Sequence, residues 1–528
     1  MSSIPVTYAW LKTPDGFTYQ FCGDQSDHNT YYAKMWAGYR GAWLGRNIYT
    51  SEEHPAILWY PFYIALGHVA AWYRDLATAL TGHEPPVTTV FPIVFHAVRI
   101  LLLISLCFAI YAVASLVFPR RSTRMWALAF VLFAGGWFPT PSQQPIVASF
   151  FYPHFVAAHI LYLSVCAAFI LALQAGSGWF LPIALASAGG FGLAWVHPYD
   201  LVALSAIGVV VFIVQWGLRR RFPGLLCATG IAYGVAAGAP IVCLMSVFAR
   251  VPVFASINHA NVLPWSSWLE PLARLEGLLL CALVSLPILW KRSRRPEALF
   301  VLAWVCTGLA VLYVPVPFVR RLAEGLTIGL AFASVFLVRE CFAPAITRWR
   351  SSASHPALRQ HLRRAQRWAF GGLFLLLVPK TLFSLHQEAT WAARPLSYVD
   401  SGERQALEWL RDNTDADDVI WAREKTGNRI PYFTGRRVFC GHWAETNRYS
   451  EKRALTEMLF SGSLDPGEFQ EILRRNRITY VLWIDPVNVP AGGFVDPNAL
   501  YGVILKAPVY AAERFRIYRL GTTASSIP

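Results

Sequence analysis

The sequence predicts a polytopic α-helical membrane protein with about ten transmembrane helices, followed by a small α/β domain. Three observations carry this. First, 55% of the 528 residues are hydrophobic and only 15% are charged, with a mean hydropathy of +0.39; a soluble core does not need that balance. Second, apolar runs recur at roughly 93–118, 125–140, 150–173, 179–196, 199–217, 223–248, 273–290, 298–317, 322–341 and 367–386. Each is close to the ~17–25 residues that cross a bilayer as a helix. Third, arginine and lysine gather in alternate gaps. Pro119–Arg124 and Leu218–Phe222 hold three arginines each, Lys291–Glu297 four basic residues, and Cys341–Arg367 six arginines, whereas the intervening gaps hold only Arg250, Arg320 and Arg321. Basic loops stay in the cytoplasm. The parity therefore puts residues 1–92 outside, ten helices over 93–386, and residues 387–528 outside; the uncharged gap Gln174–Gly178 is silent.

The net charge of +15 is mostly accounted for by the cytoplasmic loops and is not a nucleic-acid footprint. Of nine cysteines, seven fall within or at the ends of the apolar runs and read as small apolar fillers. Cys22 and Cys440 both face outside in this topology and could pair, although sequence cannot establish the contact. Met1–Gly23 lacks a basic n-region and an apolar h-region, so no signal peptide is visible. The preferred explanation for an external first segment is a leading transmembrane helix encoded upstream; the alternative is a tail that crosses unaided.

Within residues 1–92, Thr30–Leu44 places Tyr32, Met35, Trp36 and Tyr39 near one helical face, a pattern suited to the bilayer interface. Ala56–Tyr73 is more apolar, but a crossing there would invert every later loop; its Pro61, its aromatics and His68 fit a re-entrant or interfacial helix. The helices then come as hairpins, with tight turns expected at Gln174–Gly178 and His197–Asp200. A longer external loop is expected over Asn258–Glu270, whose tryptophans suit the headgroup zone. After Leu385 the pattern changes. Ser401–Asn413 reads as an amphipathic helix capped by its serine. Asp418–Ala422, Ile478–Ile484 and Arg514–Leu520 read as strands, Gly435–Phe439 enters another, and Ser450–Phe460 and Pro466–Asn476 read as helices. Alternating strands and helices make an α/β domain of about 120 residues.

The first external segment supplies carboxylates. Asp24 and Asp27 precede a helix, and Asp27 and Tyr31 share a face at helical spacing. A carboxylate near the membrane surface can take a proton from an acceptor or bind a metal; the bland alternative is an N-cap plus a solvated aspartate. Glu52, Glu53 and His54 form a second polar cluster that reads as a solvated loop. Ionisable residues at helix ends are costly in lipid and so more informative. His96 and Arg99 share a face at the outer end of the first helix. His154 lies at the outer end of the third, and His197 and Asp200 at the outer turn between the fourth and fifth. Arg320 and Arg321 lie at the outer end of the ninth helix, against the charge rule. Phosphate binding would explain these two arginines, since guanidinium matches phosphate oxygens bidentately; snorkelling or a salt bridge with Glu324 would also.

These features together resemble the GT-C superfamily of membrane glycosyltransferases, especially bacterial relatives of the protein mannosyltransferases and of lipid A aminoarabinose transferase. The matching features are the acidic first segment (Asp24, Asp27, Tyr31), interfacial helices, about ten further spanning helices and an external α/β domain. TGRRVFCGHWAET (Thr434–Thr446), followed by an ITYVLW strand, looks like the C-terminal domain of bacterial members. The resemblance covers nearly the whole chain in architecture, on short motifs. It implies a polyprenyl-phosphate sugar as donor, an extracytoplasmic glycan, lipid or protein as acceptor, and inversion at the sugar. It also implies a place in the bacterial cytoplasmic (inner) membrane. By the same resemblance, Asp27 is the best candidate for the catalytic base and Asp24 the second. Arg99, Arg320 and Arg321 become phosphate ligands, and Tyr31, His96, His154, His197 and Asp200 substrate-pocket residues. The sequence establishes no cofactor, and a divalent metal ion is left open. The Trp-Trp-Asp signature of oligosaccharyltransferases is absent, which argues against N-glycosylation of asparagine.

Two other functions fit the pattern less closely. A transporter or flippase of lipid-linked intermediates would show ionisable groups near mid-membrane and broken helices; here such groups cluster at outer helix ends, and the exception, Lys380, is close enough to the surface to snorkel. A non-catalytic assembly protein would use the C-terminal domain for binding. Gly435–Thr446 either contacts substrate or is a glycine-punctuated turn, and the turn is favoured.

Overall fold

A computed structural model describes residues 1–134, 144–174, 178–260, 262–352, 356–485 and 496–520. The end of the span expected over 125–140, the middle of the Gln174–Gly178 turn and part of Cys341–Arg367 lie outside the described residues. The chain begins with α1 (Ile4–Leu11), β1 (Phe17–Tyr19), α2 (Gln25–Tyr39) and α3 (Pro61–Thr81). The helical series continues with α4 (Val87–Val117), α5 (Arg121–Phe133), α6 (Pro145–Phe151), α7 (Pro153–Gln174), α8 (Phe180–Val196) and α9 (Asp200–Arg219). Next come α10 (Gly224–Arg250), α11 (Pro252–Ala260), α12 (Glu270–Lys291), α13 (Pro296–Val311), α14 (Leu326–Leu337), α15 (Ala343–Ser352) and α16 (Pro356–Ala392). The remainder alternates as β2 (Tyr398–Asp400), α17 (Ser401–Asn413), β3 (Val419–Ala422), α18 (Glu424–Thr434) and β4 (Arg437–Val438). It ends with α19 (Tyr449–Ser461), α20 (Pro466–Arg475), β5 (Ile478–Ile484), α21 (Pro497–Tyr501), β6 (Tyr510–Ala512) and β7 (Phe515–Arg519).

One compact unit comprises Met1–Pro5, His96–Ser246 and Val262–Ala389. Among the described residues of the chain, seven helices are long and apolar enough to cross a membrane: Val87–Val117, Pro153–Gln174, Asp200–Arg219, Gly224–Arg250, Glu270–Lys291, Val319–Trp349 and Trp368–Ala392. Two more, Phe180–Val196 and Pro296–Val311, are apolar but shorter. Helix α14 is buried along its whole length, and α7 and α13 along most of theirs. Around them α4, α10, α12 and α16 turn side chains such as Phe108, Val235, Leu280 and Leu376 outward. Apolar residues outside and hydrogen-bonded helical backbone throughout are what a hydrocarbon solvent requires. Lys380 departs from the expected snorkelling: its ammonium pairs with Glu276 of α12, where the backbone is non-helical (φ 40°, ψ −121°). A carboxylate at hand neutralises the ammonium where lipid could not.

The second compact unit comprises Val6–Phe95, Val247–Asn261 and Thr390–Pro528. Here α2 packs on α3 through a close backbone crossing. A Cβ on Gly38 would lie 1.9 Å from the Ile64 carbonyl oxygen, and one on Gly67 would lie 2.0 Å from that of Met35. Neither backbone can yield as a flexible side chain would. Gly38→Ala is therefore expected to force the helices apart and destabilise this unit by about 1–3 kcal/mol, seen as a lowered unfolding midpoint of the purified protein. The aromatic residues of α2, expected to suit a bilayer interface, pack inside the protein instead. Tyr32, Met35, Trp36 and Tyr39 are all buried, with Tyr32 against Tyr432 and the Trp36 indole N–H donating to the Tyr432 carbonyl at 2.8 Å.

Strands β1 and β2 pair antiparallel, joining the start of the chain to Tyr398–Asp400. The main sheet runs β4-β3-β5-β7-β6. In it β3 is parallel to β4 and β5, and β7 is antiparallel to β5 and β6. One of its faces closes on Trp421, Phe439, Phe469, Trp483, Tyr501 and Tyr518. Two expectations need correcting. Helix α17 is capped by Asp400, not Ser401, because the Asp400 carboxylate reaches the Glu403 N–H at 2.8 Å and satisfies an otherwise unpaired donor. The start of the expected Asn258–Glu270 loop is helical, since α11 runs to Ala260; Pro252 in its first turn is pre-set for a helix. Cys22 and Cys440 are buried free thiols, not a disulfide, and burial pushes each up to about 12, so both are chemically quiet.

Candidate functional site

The acidic first segment is organised by the N-terminus of α2. Asp24 is the N-cap, its Oδ1 accepting from the Ser26 N–H at 2.9 Å and the Asp27 N–H at 3.4 Å. Burial, and then the neighbouring Asp27 charge, raise its carboxyl above the usual range. A raised acid favours the protonated folded state, so its contribution to stability is largest at low pH and is lost as pH rises through the folded value. Asn caps as well as Asp and carries no charge. Asp24→Asn is thus expected to melt at or above the wild-type temperature at pH 7, with the wild type catching up on acidification.

Asp27 is placed differently. Its side chain is 42% exposed, and Oδ1 lies 3.2 Å from Nε2 of His442, whose own side chain is only 5% exposed. The Ala444 N–H donates to His442 Nδ1 at 3.2 Å. With Nδ1 accepting, a neutral imidazole carries its proton on Nε2 and donates it to the Asp27 carboxylate. The loop bearing His442 is pinned on both sides. The Gly441 N–H donates to Thr446 Oγ1, and that hydroxyl donates to the Tyr49 carbonyl. Glu445 accepts from Lys34 Nζ at 2.6 Å, and its carbonyl from Asn47 Nδ2 at 2.7 Å. Gly435–Thr446 is therefore more than a turn, because it carries a buried histidine to the exposed aspartate. Tyr31, one turn after Asp27, stacks on Tyr63 with centroids 4.7 Å apart.

Glu52 and Glu53, expected in a solvated loop, tie that segment to the C-terminal stretch. Burial would raise the Glu52 carboxyl, but buried Lys452 at 2.8 Å outweighs it and holds it low. Arg437, hydrogen-bonded at 2.8 Å, lowers the Glu53 carboxyl. The His54 ring is buried against Phe254.

The other sequence candidates belong to the helical unit. Arg99 is 1% exposed. Its guanidinium reaches His96 Nδ1 at 3.0 Å, the Ser2 carbonyl at 3.0 Å and the Ser149 carbonyl; a phosphate ligand would have to displace these. His154 is buried against Phe155 and Tyr152. His197, Asp200 and Glu324 converge: His197 Nδ1 lies 2.9 Å from Glu324 Oε2 and 3.4 Å from Asp200 Oδ2, all three residues buried. One ligand atom from each lies within 4.8 Å of the others. His197 Nε2 and Asp200 Oδ1 have no hydrogen-bond partner among the described residues. One imidazole and two carboxylates suit a divalent transition cation, so this trio could hold one. Arg320 lies over Trp265 at 6.0 Å and Arg321 over Tyr199 at 4.9 Å. Sequence reasoning missed His442 and treated Glu324 only as an arginine partner. No local spacing signals either, since their partners lie 415 residues away for His442 and 127 and 124 residues away for Glu324.

No family model matches this chain, and no curated protein matches it in sequence. Solved structures match it in fold. The oligosaccharyltransferase of Archaeoglobus fulgidus, tethered to an acceptor peptide containing the NVT sequon, is 12% identical over 91% of this chain and 68% of its own, with a TM-score of 0.53. The same archaeal protein in complex with an inhibitory peptide and a dolichol-phosphate is 12% identical over 91% and 68%, with a TM-score of 0.52. ArnT from Cupriavidus metallidurans bound to undecaprenyl phosphate is 13% identical over 98% and 97%, with a TM-score of 0.47. The chain thus shares the fold of the archaeal oligosaccharyltransferase, and seven helices among its described residues are long and apolar enough to cross a membrane.

Proposed function

We propose that this protein is a membrane glycosyltransferase that moves a sugar from a polyprenyl-phosphate carrier to an extracytoplasmic acceptor. The observation that carries this reading is the Asp27–His442 pair, a carboxylate open to solvent on one side and held on the other by a buried imidazole. In the proposed step Asp27 takes the proton from the acceptor hydroxyl or amine as that atom bonds to the sugar's anomeric carbon. The bond from that carbon to the phosphate oxygen breaks, the polyprenyl phosphate leaves with the electron pair, and the anomeric configuration inverts. Arg320 and Arg321 are the proposed partners of the phosphate. His197, Asp200 and Glu324 would hold a divalent cation were the enzyme to use one. The archaeal structure holding a dolichol-phosphate supports a lipid phosphate as carrier. The charge parity of the loops supports ten crossings, with residues 1–92 and 387–528 outside, and the resemblance read from the sequence implies a bacterial inner membrane. The test is sugar transfer by the purified protein in lipid, with a panel of polyprenyl-phosphate sugars and wild type beside Asp27→Asn. Absence of turnover with every donor, together with unaltered surface glycans in a deletion strain, would overturn the reading.

One observation favours a second reading. The Glu276–Lys380 pair at a break in α12 is the kind of feature a transporter of lipid-linked intermediates uses. Carrier movement across vesicles by wild type, lost in Lys380→Met while transfer is absent from both, would select it.

A further inference from the structure

The unit that holds Asp27 also holds a cleft of about 400 Å³, whose walls include Asp24, Trp391, Arg394, Glu424, Lys425 and Asn428. We propose that this cleft binds an acidic saccharide, with Trp391 as the stacking platform and Lys425 and Arg394 as partners of the sugar's carboxylate. The argument begins with charge. Both carboxylates of the cleft are already engaged. Asp24 Oδ1 accepts two backbone N–H groups, while Glu424 accepts from the Tyr449 hydroxyl at 2.5 Å and lies 3.2 Å from the Arg453 guanidinium. Neither cation is held in an ion pair. Among the described residues no carboxylate lies within ion-pair distance of Lys425 Nζ or of the Arg394 guanidinium, which rests over the Trp391 ring at 3.1 Å from its centroid. The charged groups left for a ligand are therefore positive, and they suit an anion through charge-assisted hydrogen bonds.

Shape and surface then identify what carries the anion. Trp391 is 41% exposed, and an exposed indole beside polar groups offers an apolar face to the C–H side of a pyranose ring. A free phosphate would need neither the indole nor this volume. Ser26 and Gly441 lie on the same walls and are the chain neighbours of Asp27 and His442, so a bound sugar sits beside the proposed base. Its role as the acceptor's subsite rests on the transferase reading; its binding does not.

The test uses the full-length protein in lipid nanodiscs and reads the binding of a glucuronic-acid disaccharide, its neutral methyl ester, inorganic phosphate and undecaprenyl phosphate. The acid is expected to bind at least about tenfold tighter than its ester. Lys425→Gln should reduce that difference while leaving ester binding unchanged, which also reports an intact cleft. Trp391→Ala should weaken both saccharides. Equal binding of the acid by wild type and Lys425→Gln would overturn the proposal. So would the absence of saccharide binding, or binding of phosphate or the lipid carrier with no saccharide bound. Saccharide binding without transfer by any protein would leave this site standing and remove the transferase reading; transfer without such binding would do the reverse.

Discussion

Asp27→Asn is expected to lower turnover by about 100- to 10,000-fold, the contribution of a positioned general base, while the protein still inserts and folds. Asparagine has the same shape, and its amide oxygen can accept from His442 Nε2 as the carboxylate does at 3.2 Å, so the loss reports chemistry and not architecture. Asp24→Asn is the control, because its carboxylate is engaged in capping α2 and the amide caps equally well. Transfer should survive that change. His442 acts through Asp27 and is a positioning residue. Removing its N–H in His442→Leu should lower kcat about tenfold with KM little altered, and His442→Gln, which restores an N–H, should recover most of the loss. The checking measurement is steady-state transfer with the polyprenyl-phosphate sugar found active for wild type. An Asp27→Asn enzyme with wild-type turnover would remove Asp27 from the mechanism.

Arg429→Met is expected to be the most destabilising single change, at about 3–5 kcal/mol. Arg429 is 1% exposed. Its guanidinium pairs with Glu403 and donates to the carbonyls of Leu396 at 2.9 Å and Tyr398 at 2.8 Å. It thereby joins α18 to α17 and to the segment leading into β2. Methionine fills similar volume but leaves a buried carboxylate with only the Thr426 hydroxyl to satisfy it and takes the guanidinium donor from two carbonyls, and the uncompensated charge dominates the cost. The double variant Arg429→Met/Glu403→Gln removes that charge and should recover a large part of the loss. Thermal unfolding in detergent would check this. Wild-type stability in Arg429→Met would show that the pair is dispensable.

Much of the architecture was legible because its signals are local. An apolar run such as 223–248 is met by α10, and ITYVLWI by β5, since hydrophobic period and length act over a few turns of chain. The one capping correction is small: Asp400 and Ser401 are adjacent cap formers, and only the backbone geometry chooses between them. The aromatic stripe of α2 misled for a different reason. Tyr32 and Trp36 suit a bilayer interface and a protein interior equally, and only the presence of Tyr432 and its carbonyl decides. Lys380 misled likewise, because a lone cation in an apolar run gives no sign that Glu276 will meet it.

The sequence by itself determined that this chain is a membrane protein, where several of its long apolar helices run, and that a carboxylate pair opens the first segment. Those properties follow from hydrophobicity, charge parity and spacing, which are summed along the chain. Only the tertiary structure decided which aspartate caps α2 and which one meets His442. It also decided that His197, Asp200 and Glu324 converge, and that Trp391, Arg394 and Lys425 share a cleft. Each of these arrangements joins residues from separate segments, and their mutual orientation is set by the packing of whole elements, which no local pattern encodes.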